Sequence, residues 1–164
     1  MFFHNSLITC FMNSGIIFGN KILDVVFISM FVAQFYKLVS SSFIKKKIDW
    51  SRLWETGGMP SSHSSSVMAL TTAVAITEGL RSVAFAICVV FSIVVMFDAS
   101  GIRKAAGEHA GILNQLTDFF STAFDKRFHN EKLKELLGHS RTEVFAGAVL
   151  GLVIALLMKG YLLM

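Results

Sequence analysis

The chain has 164 residues, 54% of them hydrophobic and 16% charged, with a formal net charge of +4 and a mean hydropathy of +0.62. Such a balance sets aside an ordinary soluble domain of this length: 16 Phe, one Pro and few charges leave too little polar surface to clothe a folded core. A soluble helical protein with a greasy core is the competing reading, and a membrane protein is the expected one.

Taken in chain order, the stretch from Met1 to Phe18 is apolar but lacks the basic start and small-residue cleavage site of a secretory signal. It is expected to stay on the chain as a short interfacial or packed helix. Four helix-length apolar segments follow: Val25 to Ile44, interrupted by Lys37, then Ser64 to Thr77, Ser82 to Phe97 and Val144 to Met158. Each is at or below the roughly 20 residues that cross a bilayer. The stem of Lys37 is long enough to snorkel to an interface.

The fold class expected is all-α, a polytopic membrane helix bundle of about four transmembrane helices forming one domain over residues 1–164. Between the third and fourth segments, Gly101 to Leu137 is polar and helix-prone. Ala105, Ala106, Ala110, Leu113, Leu116 and Phe120 fall at near-helical spacing there. That predicts an amphipathic helical connection, either a lid or plain packing. Cys10 and Cys88 lie in separate apolar segments without ligand-spaced partners, so they read as small buried hydrophobes.

If four helices cross in turn, the connections 43–58 and 101–141 share one side of the membrane. The basic residues then divide 11 to 3, with Lys37 inside a span. The positive-inside rule places the richer side in the cytoplasm, and Trp50 and Trp54 suit its membrane–water boundary.

The same side gathers the residues able to do chemistry. In Gly57-Gly58-Met59-Pro60-Ser61-Ser62-His63-Ser64 the only proline leads two serines and a histidine into an apolar helix. Serines cap the exposed N–H groups of a helix start, and those donors are also a place for an anion. Lys45 and Arg52 end the first crossing, Arg103 and Lys104 follow the third, and His139 with Glu143 opens the fourth. Cations with two imidazoles suit phosphoryl transfer, the cations neutralising oxygens while one ring attacks and the other protonates the leaving group.

Singly, each residue also has a plainer reading. His63 can be a cap, His139 and Glu143 an i,i+4 surface pair, and Lys45, Lys46 and Lys47 a cluster for lipid head groups. Asp98, at the end of the third crossing, is costly there unless paired, for instance with Arg103.

Lys45 followed after six residues by Arg52, then Pro60-Ser61-Ser62-His63, then His139 and Glu143 before Val144-Phe145-Ala146-Gly147, resemble the three-part signature of the type-2 phosphatidic acid phosphatases. That superfamily also holds acid phosphatases and vanadium-dependent haloperoxidases. The likeness is closer to its divergent bacterial and plant branch. It is carried by Gly57 to Ser64, by Met96-Phe97-Asp98-Ala99-Ser100-Gly101-Ile102-Arg103 and by Leu133-Lys134-Glu135-Leu136-Leu137-Gly138-His139. It runs from about Lys21 to the C-terminus.

The resemblance implies that His139 is the nucleophile, that Glu143 holds its far nitrogen, and that His63 is the general acid. Lys45, Arg52 and the backbone of Ser61 and Ser62 would grip phosphate. It further implies a lipid or isoprenoid phosphate substrate among membrane lipids, with no metal, cofactor or nucleic acid, and leaves the oligomeric state open. Ser62 stands where the family has glycine, Leu53 where it has proline, Glu143 where it has aspartate, and Leu133 where it has the third motif's arginine. Arg103, Lys132 or Lys134 would have to replace that arginine. Arg103 stands six residues before His109, but Leu113 cannot orient an imidazole, so His109 is a decoy. The missing arginine supports a second reading, a catalytically degenerate phosphate-binding membrane protein with a sensory or assembly role. A transporter is disfavoured, because no broken-helix pair or inverted repeat is visible.

Overall fold

A computed structural model describes residues 15–45, 58–123, 133 and 138–164. Those residues form helices and turns without a strand. The helices are α1 (Lys21–Lys45), α2 (Ser62–Thr77), α3 (Val83–Ser100), α4 (Ile102–Ala123), α5 (Arg141–Leu157) and α6 (Lys159–Leu163). Each of the four apolar segments holds one long helix. Three of the helices begin on a serine cap: Ser61, Ser82 and Ser140 accept from the N–H groups of Ser64, Phe85 and Glu143. Serine is favoured there because its oxygen replaces the carbonyl that a first-turn N–H lacks.

Among the described residues, two stretches are long and apolar enough to cross a membrane by themselves. They are Lys21–Ser42, 22 residues, and Val83–Ser121, 39 residues, whose most apolar 18 residues have mean hydropathy 1.8 and 2.4. The 16 residues of α2 and 17 of α5 rise only about 24–26 Å, short of a roughly 30 Å hydrocarbon core. The four expected crossings therefore do not follow from length alone.

Position in the bundle explains the short α2. It is the central helix, with α1, α3 and α5 arranged around it, and its hydroxyls tie it to two of these neighbours. Ser65 Oγ lies 2.6 Å from Ser29 Oγ of α1, and Thr71 Oγ1 lies 2.7 Å from Ser92 Oγ of α3. Ser92 Oγ also donates to the carbonyl of Val67. Toward α5 the contact is backbone on backbone, since a Cβ at Gly147 would collide with the Ser61 carbonyl and one at Gly151 with the Ser65 carbonyl. Small residues and inward hydroxyls are how helices associate where apolar burial gives no preference for protein over lipid. In contrast, α3 buries only Ser92 and Ala99 and turns Ile87, Val90, Phe91 and Val94 outward, an apolar face suited to lipid.

The buried apolar cluster lies toward the end of the bundle where the chain finishes. Val25, Ala69, Ala73, Ala155 and Leu162 form it, flanked by Ile22, Ile76, Met158 and Tyr161. The end of the expected N-terminal helix is a turn over residues 16–18 rather than a helix, and the rest of that expectation lies outside the described residues. The expected amphipathic connection is α4, which carries an exposed Lys104–Glu108 pair at 3.8 Å. His109, the decoy, is exposed on it.

Candidate functional site

At the opposite end of the bundle, three helix termini meet through backbone bonds. The Ser61 N–H, just before α2, donates to the Glu143 carbonyl in the first turn of α5 at 3.0 Å. The His139 N–H donates to the Ala99 carbonyl at the end of α3 at 2.9 Å. Gly138, at φ 93°, makes the turn that presents His139 to Ala99, a conformation that a side chain disfavours. Two loops far apart in sequence are thus pinned to each other and to α3.

The result is a pair of histidines. The rings of His63 and His139 lie 6.4 Å apart between centroids, at 75°. His139 is buried and His63, in the first turn of α2, is exposed. One imidazole is held inside the protein and the other faces the open side of the same space.

Around the pair, Ser61 and Ser62 are buried. Ser61 is committed to structure, since its N–H goes to Glu143 and its Oγ accepts from Ser64 N–H at 3.4 Å and from Ser64 Oγ at 3.1 Å. The i to i−4 ladder of α2 starts only with Ser65 donating to Ser61. The N–H groups of Ser62 and His63 therefore precede the ladder, in the position where helix starts receive anions.

Glu143 is placed differently from the expectation. Its Oε2 accepts from the Ser140 N–H at 3.0 Å while the Ser140 Oγ accepts from the Glu143 N–H at 3.3 Å, a reciprocal capping box. Its described bond is to the backbone beside His139, not to the imidazole, so it fixes the residue following His139 and through it the direction of the ring. The sequence reading missed a cation whose charge this carboxylate influences. Lys37, whose stem can snorkel to an interface, is 6% exposed and lies within the field of Glu143. An ionisable residue in an apolar span is a sign of function by default, and that signal was available.

Of the other expected phosphate ligands, Lys45 is the last residue of α1 and Arg103 the second of α4, but the side chains of both lie outside the described structure. So does all of Arg52, together with Trp50, Trp54, Lys132, Lys134 and Cys10. The suggested Asp98–Arg103 pairing involves the Arg103 side chain and so lies outside the described residues as well. Leu133, in place of the arginine, is half exposed. Its backbone N–H and carbonyl are both held at 2.9 Å by the side-chain amide of Asn114 on α4, another contact with no sequence signal. Cys88 is half-buried rather than buried.

Comparison with known proteins agrees with the resemblance in the motifs. The sequence model described as the divergent PAP2 family matches residues 18–154. The uncharacterized membrane protein YuiD of Bacillus subtilis (strain 168) is similar, with 43% identity covering 77% of this chain and 85% of its own length. No solved structure matches the chain.

Proposed function

The chain belongs to the divergent PAP2 family, and from that premise we propose that it is an integral-membrane phosphatase hydrolysing a lipid or isoprenoid phosphate through a phosphohistidine. The observation that carries this reading is the approach of the His63 and His139 rings to 6.4 Å. Near-attack contacts are about 3–3.5 Å, so a tetrahedral phosphoryl group between the two rings can face a nitrogen of each.

His139 attacks phosphorus, the bond to the alcohol oxygen breaks, and His63 delivers its proton to that oxygen. In the second step His63 takes a proton from water, whose oxygen displaces His139 and releases inorganic phosphate. Burial of His139 keeps bulk water from competing for the nucleophile, and exposure of His63 lets the alcohol leave and water enter. The N–H groups of Ser62 and His63 face the phosphoryl oxygens, and Lys45, Arg52 and Arg103 are the cations that the resemblance assigns to supply positive charge. Lys37 balances Glu143, so the capping carboxylate does not repel an incoming anion. The site faces the cytoplasm in this reading, on the strength of the basic asymmetry.

A second reading, the degenerate phosphate binder, is favoured by Leu133, half exposed and tied by its backbone to Asn114. One experiment separates the two. The protein in mild detergent with EDTA is given phosphatidic acid, undecaprenyl pyrophosphate or a soluble aryl phosphate, with His139→Ala beside it. Phosphate release that the substitution abolishes is the expected result. Lipid phosphate bound by both proteins with no release from any substrate would favour the binder.

A further inference from the structure

A groove of about 400 Å³ runs between α3 and α5 with α2 as its floor. Met68, Thr72 and Ala75 line the floor, Val89 and Ile93 one wall, and Leu152 the other. At one end it reaches Met96, three residues before Ala99, whose carbonyl anchors His139. At the other it reaches Leu80, in the turn between α2 and α3. Between Phe85 and Met96, both on the wall, α3 rises about 16 Å, roughly half the depth of a hydrocarbon core. The groove is long, narrow and unsealed, for Leu80 and Ile93 are exposed.

Its three polar lining residues contribute almost no polar surface. Thr71 Oγ1 donates to the Val67 carbonyl at 2.9 Å, Thr72 Oγ1 to the Met68 carbonyl at 2.8 Å, and Ser92 Oγ to Val67 at 3.1 Å. With these hydroxyls turned into the helices, the wall offers carbon to an occupant. A polar ligand would lose hydration there without compensation, and a hydrocarbon chain would not. The bond from His139 to Ala99 joins α3 to the residues before α5 one helical turn beyond Met96, so this is the end of the groove that lies toward His139.

We propose that this groove holds the hydrocarbon tail of the phosphorylated ligand. The inference rests on the phosphate site proposed above and narrows its substrate to an amphiphile with one extended chain lying along α3. Head and tail are then read at two points, phosphate by the helix termini and chain by the groove. Ordinary membrane lipid engages only the second.

The test uses hexadecyl phosphate carrying a diazirine midway along its chain, with the matching alcohol as control, photolysed with the full chain in mild detergent and mapped by mass spectrometry. The expected result is labelling by the phosphate probe at Val89, Ile93 and Leu152, several-fold above labelling at Ile87, Phe91 and Val94 on the far side of α3. The alcohol is expected to label both faces alike. Ala75→Phe, which fills the floor, should reduce groove labelling several-fold, and the wild-type map stands even if that variant fails to fold. Even labelling of the two faces by the phosphate probe, or equal groove labelling by alcohol and phosphate, would overturn the proposal. A probe that labels the groove but is not hydrolysed upholds the groove and removes the catalytic reading. One that is hydrolysed without preference for the groove does the reverse.

Discussion

The two ends of the bundle each bury ionisable side chains, and they use them in opposite ways. At the end of the bundle that holds α6, Asp24 is 1% exposed and its oxygens are taken by its own protein. Oδ1 accepts from the Phe18 N–H at 2.9 Å, and Oδ2 accepts from the Ile17 N–H at 3.3 Å and from the Tyr161 hydroxyl at 2.5 Å. The Tyr161 oxygen also accepts from the Ile16 N–H. This clasp ties the turn before α1 to α6, and both oxygens of its carboxylate are engaged in it. At the histidine end, backbone bonds of Ser61, Ala99, His139 and Glu143 bring the helix termini together, and the Ser140–Glu143 capping box holds the residue after His139. Burial alone does not mark a site. What separates the ends is that long-range contacts run through side chains at one and through backbone at the other, where two imidazoles come close.

That contrast is broken most directly at His139. If backbone bonds position it, removing the ring should spare the fold and remove the chemistry. His139→Ala is expected to lower phosphate release about 10³-fold or more, with a thermal midpoint within a few degrees of wild type. Parallel activity and melting measurements check it, and a large drop in midpoint would make His139 a packing residue instead.

Next in size is the seam that joins the ends. Gly151 lies against the Ser65 carbonyl and the Ala69 amide, so Gly151→Leu must push α5 off α2. A loss of about 3 kcal/mol is expected, read as a lower midpoint in detergent. A wild-type midpoint would mean that α5 and α2 are not pressed together.

Much of this arrangement is written locally in the sequence. Apolar run length located α1, α2, α3 and α5, and the Pro60-Ser61-Ser62-His63 start placed His63 in a first helical turn. Gly147 and Gly151 are small residues of the kind that allow close helix packing, though nothing local names α2 as the partner. Ser140-Arg141-Thr142-Glu143 has the spacing of a capping box, a signal overshadowed by the expectation that Glu143 serves the imidazole. The Asp24 clasp was not legible, because its hydroxyl comes from the other end of the chain and a carboxylate before an apolar run predicts no such partner. Lys37 was visible as an interruption, but hydropathy records only that a charge breaks a span, not that the side chain is buried within the field of Glu143 on another helix.

The clasp itself predicts the next smaller effect. Asp24→Ala leaves the Tyr161 hydroxyl and two amides without their acceptor, at a cost of about 2–3 kcal/mol. The dependence on pH has a definite sign. Donation to Asp24, aided by burial, holds the Tyr161 phenol above its ordinary value of 10.0. This contribution is fully present below the unfolded value and is lost as pH rises through the higher folded one. Wild type should therefore lose stability in that alkaline range more steeply than Tyr161→Phe, as pH-dependent melting would reveal.

The finest comparison sets one modest substitution at each end side by side. Ser140→Ala removes half of the capping box, at about 1 kcal/mol, and Tyr161→Phe removes the two bonds that the hydroxyl makes in the clasp, lowering the midpoint by a few degrees. Equal melting losses need not give equal kinetics. Loosening Ser140 frees the residue after His139, and an imidazole displaced by even a fraction of an ångström loses alignment with phosphorus, so kcat should fall several-fold while KM changes little. Tyr161 lies at the end of the bundle far from both rings, and its loss should leave kcat unchanged. If both variants lost activity in proportion to stability, the ends would behave as one cooperative unit, and the division of labour between backbone and side chains would not hold.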